Sequence, residues 1–343
     1  MIVQIPLIRV WMMSNRLPKM PLCVLFDDAY LYPFLIAIYS AALNRTETFS
    51  LVIGDTGRNL SPKTKELIEI FCGILEIPFK WFAIPLDTSY QRSFVHVPPL
   101  AVGRLFFLDL MESPFVYSDV DVLFLAGWDE ILLEPTFSQT HIASVVLHGD
   151  TDWIQRINQN RAVEGLPQNQ AMIDNENEYF GAGLLIADPQ LWRERGFNDE
   201  WKEIYKARFD ELGLWILEQD ILNYLLKGLT KNISVAFNYP AQWREHPKNY
   251  RTYAPGEALP IKILQFQGNA KPWNYSEQSR AKLFLKTQDF FTKSAGTVER
   301  STYFLIMEFW LYENLFWHWA SQQNESFFEE LKTIHLGIDR KDF

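Results

Sequence analysis

Apolar positions in the first 125 residues follow two rhythms in turn. Short continuous runs read as buried strands: "PLCVLFD" (Pro21–Asp27), "FSLVIGD" (Phe49–Asp55), "FKWFAI" (Phe79–Ile84) and "FVYSDVDVLF" (Phe115–Phe124). Between them the spacing is helical. Leu31, Phe34, Leu35, Ile38 and Ala42 recur on one face, with Pro33 suited to a first turn. "SPKTKELIEIFCGIL" carries Ser61 at an N-cap, Pro62 at the first helical position and Gly73 near its end. "LAVGRLFFLDLM" reads as a third helix. Strand and helix therefore alternate, which predicts a largely parallel α/β sheet.

Beyond Asp129 the rhythm loosens. "HIASVVLHGD" and "YFGAGLLIAD" read as strands, and "ISVAFN" and "IKILQFQ" as two late ones. The stretch from Thr151 to Phe180 is polar and reads as irregular, the kind of segment that caps a site. Asp188, Pro189 and Gly196 punctuate a short helix, and "NDEWKEIYKARFDELG" and "LEQDILNYLLKG" give two more. From Asn274 onward strand signals cease, and "STYFLIMEFWLYENLFWHWASQQ" predicts a very aromatic helix. Packing on the core is its simplest role. A dimer interface, or contact with a membrane face that carries lipid-linked acceptors, are the alternatives.

Composition narrows the classes. The chain has 343 residues and a net charge of −10, so nonspecific binding to nucleic acid is not expected. Cys23 and Cys72 are the only cysteines; both lie in apolar runs and read as core residues of a protein from a reducing compartment. No run of about 18 uncharged apolar residues suggests a membrane span, and Arg9 interrupts the apolar start where a signal peptide would need continuity. A soluble, cytoplasmic protein is expected. The 12 tryptophans fit either a Trp-rich core or stacking on saccharides.

Three polar clusters fall where strands end, the place where open α/β sheets bind ligands. Asp119 and Asp121 interrupt the fourth strand at i and i+2, which puts both carboxylates on one side. Two such charges repel unless a cation lies between them. Oxygen ligands suit a hard ion such as Mg²⁺ or Mn²⁺. The competing reading is a strand end whose carboxylates meet solvent or cap a helix. In "QGNAKPW", Gly268 would let backbone N–H groups approach a phosphate and Lys271 would supply a charge; an ordinary turn is the alternative. In "FDDAY", Asp27 or Asp28 could accept from a nucleobase or cap a helix. Arg104 is the one cation of its apolar helix, placed for a phosphate or a core carboxylate. Glu218 and Asp220 bracket Gln219 at a helix start, where the dipole favours acids and a sugar carbon could be met.

Taken in order, "VLFDDAY", "VGRLFFLDL", "VYSDVDVLF", "YFGAGLLIADPQLWR", "EQDILN" and "LQFQGNAKPW" resemble glycosyltransferase family 8, which contains glycogenins and bacterial lipopolysaccharide galactosyl- and glucosyltransferases. The resemblance runs from about Leu22 to Trp273. It implies a GT-A fold of α/β class over residues 21–273, between an N-terminal extension (1–20) and a helical C-terminal extension (274–343). It implies a UDP-hexose donor, glucose or galactose, used with Mn²⁺ or Mg²⁺, a saccharide or glycolipid acceptor, and retention of anomeric configuration. By position, Asp119, Val120 and Asp121 match the metal- and donor-binding Asp-x-Asp, and Gln265 stands where the family usually has a metal-binding His. Asp27, Asp28 and Tyr30 match the base-binding loop, Arg104 the basic residue near the diphosphate, and Gly268 and Lys271 the late phosphate turn. Glu218, Gln219 and Asp220 match the segment facing the transferred sugar, so Gln219 or Asp220 is the candidate nucleophile if retention is not by front-face attack. Ala29 and Gly181 stand where the family commonly has Asn. Gln265 and Gly181 favour the rival reading, a non-catalytic sugar-nucleotide-binding or scaffold protein. A phosphohydrolase of the haloacid dehalogenase type needs Asp-x-Asp on its first strand followed by Gly-Thr, which this chain lacks.

Overall fold

A computed structural model describes residues 20–90, 92, 98–133, 137–147, 151–241, 261–268, 271–276, 279, 297–323 and 325–336. The N-terminal extension, all but its last residue, lies outside them, as do Asn269 and Ala270 of the late turn.

The first half alternates as its rhythm predicts. Strands β1 (Leu22–Val24), β2 (Leu51–Asp55), β3 (Phe79–Ala83) and β4 (Phe115–Ser118) are separated by helices α1 (Leu31–Asn44), α2 (Pro62–Ile74) and α3 (Gly103–Leu110). Ser61 caps α2 by accepting from the Thr64 N–H, with Pro62 in the first turn. Later come β5 (Val122–Phe124), β6 (Ala143–Leu147), β7 (Phe180–Ala187), β8 (Thr230–Asn232), β9 (Tyr239–Pro240) and β10 (Ile263–Gln265). Helices α4 (Thr151–Val163), α5 (Gln170–Asp174), α6 (Pro189–Glu194), α7 (Phe197–Glu203), α8 (Leu217–Leu225), α9 (Thr297–Ala320) and α10 (Glu325–Leu336) complete the described elements.

The main sheet has seven strands in the order β3-β2-β1-β4-β7-β6-β8. Pairing is parallel from β3 through β4. Only β7 runs against its neighbours β4 and β6, while β8 returns parallel to β6. All eight residues of β7 are buried, as expected of a strand covered on both faces. Side-chain alternation divides the core accordingly. Leu22, Val24, Val116, Leu184 and Ile186 face α1, α2 and α9. Cys23, Phe115, Tyr117, Leu185 and Ala187 face α3, α6, α7 and α8. Both cysteines are buried and unpaired, as read.

Four readings are corrected. "FVYSDVDVLF" is two strands: β4 ends at Ser118, β5 begins at Val122, and the latter joins a second, three-stranded sheet of order β5-β10-β9. The stretch 151–180 is not irregular; it holds α4 and α5, the latter capped by Asn169, whose side chain accepts from the Met172 N–H. Polar composition hid those helices because so few apolar positions mark their faces. "ISVAFN" forms a 3-10 turn at Val235–Phe237, capped by Ser234, rather than a strand. The helix predicted across "NDEWKEIYKARFDELG" passes from α7 into one π-type turn at Ile204–Arg208.

The aromatic helix α9 packs into the core beside α1. Phe309, Tyr312, Phe316 and Ala320 are buried there, and Phe316 meets Tyr39 and Phe71 edge to face. Its buried Glu313 accepts a hydrogen bond from the Tyr32 hydroxyl at 2.6 Å. Among the described residues, no helix is long and apolar enough to cross a membrane.

Candidate active site

The two carboxylates of the Asp-x-Asp sit at the hand-off between the sheets. The Asp119 N–H donates to the Gly183 carbonyl of β7 at 2.8 Å, prolonging the main sheet by one residue. Two residues on, the Asp121 carbonyl accepts from the Phe266 N–H at 2.8 Å, just past β10. Val120 between them is buried. The expectation that both carboxylates project from one regular strand is thus replaced: they project from a joint.

Each carboxylate has its own cation. Asp119 Oδ1 accepts from Arg104 Nη2 at 2.9 Å, and its Oδ2 accepts from the Gln265 amide at 3.1 Å. Asp121 Oδ2 accepts from Lys271 Nζ at 2.5 Å. Lys271 also donates to the Phe266 carbonyl and lies over the Trp273 ring. Burial works against the Lys271 charge, but Asp121, Tyr30 and Asp119 together hold its pKa above the usual lysine value. Burial pushes the Asp119 carboxyl up, with Arg104 pulling the other way. Asp121 Oδ1 is buried and has no hydrogen-bond partner among the described residues.

Arg104 is itself buried. Its guanidinium donates to the Ala182 carbonyl at 2.7 Å, pairs with Glu218 at 3.3 Å and lies over the Tyr117 ring. Of a phosphate and a core carboxylate, it meets the latter, and it bridges two carboxylates of the site. Glu218 keeps one buried oxygen without a partner among the described residues, and burial raises its pKa despite Arg104.

The helix start around Gln219 is held under strain. Leu217 has φ of 31°, a conformation that costs a branched side chain about 1–3 kcal/mol. Asp220 offsets that cost: its Oδ2 accepts from the Trp215 and Ile216 N–H groups, each at 2.6 Å, and from Asn169 at 2.7 Å. Its Oδ1 accepts from the Tyr179 hydroxyl at 2.6 Å. Gln219 accepts from the Ala182 N–H at 3.1 Å and donates to Tyr179 at 3.0 Å. Glu218 therefore stands with the cluster through Arg104, whereas Asp220 and, through the shared Tyr179 hydroxyl, Gln219 form a second network beside it.

The base-loop residues lie at the end of β1. Asp27 caps a 3-10 turn by accepting from the Ala29 N–H, and Asp28 accepts from the Ser61 N–H at 3.0 Å, tying the loop to the start of α2. Tyr30 is close enough to the cluster for Lys271 and both Asp-x-Asp carboxylates to act on its hydroxyl, whose pKa burial raises. Gly268 follows β10 with φ of 69°.

Residues that sequence reasoning passed over also shape the site. Gln265 sits against β7 where a Cβ on Gly183 would come within 2.2 Å of its amide nitrogen, so only glycine admits it in this pose. The Gln265 oxygen accepts from Gln267 at 2.8 Å. Tyr117, Tyr179 and Asn169 anchor their neighbours without any sequence mark beyond ordinary core or loop residues. Gly183 had a signal: it repeats Gly181 at the i+2 spacing that puts both on one face of a strand.

A mixed sheet with carboxylates at the open ends of its strands, covered on both faces by helices, is the arrangement of a GT-A glycosyltransferase, and solved enzymes of that kind share it. The galactosyltransferase LgtC, solved with donor and acceptor sugar analogs, superposes with a TM-score of 0.55 at 19% identity over 74% of this chain and 89% of its own. The bifunctional glycosyltransferase WbbM superposes with a TM-score of 0.56 at 16% identity over 76% of this chain; the chain spans about half of WbbM's length, 48%. In sequence, general stress protein A of Bacillus subtilis (strain 168) is 23% identical over 63% of this chain and 73% of its own. The sequence model of glycosyl transferase family 8 matches residues 102–277, half of the chain, and the chain belongs to that family.

Proposed function

We propose that this glycosyltransferase moves a hexose, glucose or galactose, from a UDP-sugar to a saccharide or glycolipid acceptor in the cytoplasm, with retention of anomeric configuration. The observation that carries the reading is the convergence of Asp119, Asp121, Gln265 and Lys271, with Asp121 and Lys271 paired across 150 positions, at the carboxyl end of the sheet.

A divalent ion fits these residues. Asp119 and Asp121 offer carboxylate oxygens, and Gln265 adds an amide oxygen once its side chain turns over from the pose in which its nitrogen faces Asp119 and its oxygen accepts from Gln267; the buried Asp121 Oδ1 lacks a partner among the described residues that a cation would supply. The described residues contain no cluster of three His, Cys, Asp or Glu able to hold a metal, so the amide is the third candidate ligand. Bound there, Mg²⁺ or Mn²⁺ neutralises charge on a diphosphate leaving group.

The chain's own groups supply the rest. Lys271, released from Asp121, places an ammonium against the phosphate oxygens, where negative charge builds in the transition state. Arg104 has its guanidinium committed to Asp119, Glu218 and a backbone carbonyl, so its role is to position Asp119 and not to grip phosphate. Asp28 orders the base loop through Ser61, leaving Asp27 and Tyr30 toward the nucleoside. Asp220 already accepts four hydrogen bonds from protein donors, which disfavours it as a nucleophile. The reading is therefore front-face displacement. The bond from the anomeric carbon to the leaving phosphate oxygen breaks as the acceptor oxygen bonds on the same face, and the acceptor's proton passes to that phosphate oxygen. Gln219 faces the reacting sugar as a polar support.

The test is calorimetric titration of UDP with and without Mn²⁺, on wild type and on Asp121→Asn, followed by UDP-glucose and UDP-galactose hydrolysis. Metal-dependent binding in wild type is expected, lost in the variant, with hydrolysis falling on the order of 10²–10³-fold. No UDP binding by the wild type under either condition would overturn the donor assignment and favour a scaffold role.

A further inference from the structure

Two glycines of β7, Gly181 and Gly183, both turn toward the second sheet. An amide from the second sheet stands over each. Gln265 of β10 lies over Gly183, in contact with Asp119. Asn238, immediately before β9, lies over Gly181: its Nδ2 stands 3.9 Å from the point a Cβ would occupy, and it is the sole described atom within 4 Å of that point. A Cβ would therefore collide at Gly183 but meet Asn238 only at ordinary contact distance at Gly181.

Asn238 is 4% exposed, yet its Oδ1 has no hydrogen-bond partner among the described residues. Its backbone is held, the N–H donating to Val235, and β9 pairs with β10 at Leu264↔Tyr239 and Gln265↔Pro240. The amide is thus fixed on a paired element and buried, but not satisfied. A buried carbonyl oxygen left unpaired is costly, and such a group in a native fold calls for a ligand or water. Two residues of strand separate Gly181 from Gly183, roughly 7 Å, and β7 runs outward past the end of β4 in that direction. Asn238 thus stands over the stretch of β7 that carries the cluster, beside Gly181, whose chain neighbour Ala182 donates its N–H to Gln219 and accepts from Arg104 through its carbonyl.

We propose that Asn238 binds a hydroxyl of the transferred hexose, its Oδ1 accepting from that hydroxyl, and so helps set donor-sugar specificity. The inference rests on the UDP-hexose reading above. The amide serves the sugar and not the nucleotide, because the pairing of β9 with β10 sets Asn238 level with Ile263, before Gln265, whereas Lys271 follows Gln265. An apolar replacement removes an unsatisfied buried oxygen, so it leaves the free protein at least as stable.

The test compares wild type, Asn238→Ala and Asn238→Leu in three measurements: thermal midpoint, UDP affinity by calorimetry, and hydrolysis of UDP-glucose and UDP-galactose. The expected result is an unchanged or raised midpoint and UDP affinity within about twofold, with kcat/KM for hydrolysis of the preferred UDP-hexose down about tenfold or more, the effect of one lost hydrogen bond to a sugar hydroxyl. Hydrolysis equal to wild type with UDP binding intact would overturn the role of Asn238 and leave the donor reading standing. A lowered midpoint with UDP affinity lost in both variants would show a structural residue and overturn it as well. Wild type that neither binds UDP nor hydrolyses a UDP-hexose would overturn the donor reading itself, and this assignment with it.

Discussion

At the scale of single residues, the cluster is held together by opposite charges that cannot be removed one at a time. Arg104 lies between Asp119 and Glu218, with the latter nearly dry. Replacing it with Met would leave a buried carboxylate and a half-buried one without their shared cation, which costs about 3–5 kcal/mol. The expected outcome is a lower denaturant midpoint at neutral pH for Arg104→Met, partly recovered by adding Glu218→Gln; recovery absent in the double variant would show that the loss came from packing on Tyr117 instead. The sequence exposed this group well in kind and poorly in partner. One cation in an apolar helix and two acids in an apolar strand announce buried electrostatics, but which acid meets which base depends on contacts across 15 to 150 positions. Asp220 was legible as an acid at a helix start. That its oxygens are taken up by Trp215, Ile216, Asn169 and Tyr179 was not, because no local pattern marks a loop folding back onto its own helix.

Elements with strong periodicity were read nearly to their ends: α1, α2, α8, β2 and β7 fall where spacing and caps put them. The failures share one cause. Helices α4 and α5 bury only a few apolar side chains, Ile154 and Met172 among them, and rely besides on side-chain bonds such as the Asn169 N–H to Asn158 and Asn175 to the Ala171 and Asn223 carbonyls. The run Phe115–Phe124 is apolar almost throughout, so nothing in its pattern shows where one sheet is left and another entered. The glycine face of β7 ties these elements to the site. A methyl group at residue 183 would force the Gln265 side chain away from Asp119. Gly183→Ala is expected to fold, since the clash falls on the end of a flexible side chain, while UDP affinity in Mn²⁺ drops about tenfold, the worth of one hydrogen bond to a charged group. Calorimetry beside a thermal scan checks both halves. An unaffected UDP affinity would separate Gln265 from the donor site.

Over the whole molecule, the helices after the matched family region are part of the same core as the first strands. Phe316 is fully buried between α1 and α2, and Trp317 donates to the Tyr32 hydroxyl at 3.0 Å. Phe316→Ala is expected to cost about 3–5 kcal/mol and to lower the entire cooperative transition. Urea unfolding followed by tryptophan fluorescence and by far-ultraviolet dichroism should give coincident, shifted curves; a split into two transitions would show the tail to be a separate unit. The joint at Val120 has a consequence for the order of events during synthesis. Of the four groups gathered there, two come from one short stretch near residue 120 and two from beyond residue 260, linked only once β10 has paired with β5. Contacts of such long sequence separation form late, since loop closure must come first. A nascent chain can complete the parallel half of its sheet while the ribosome is still far from Lys271, and the four groups stay apart until the last strand arrives.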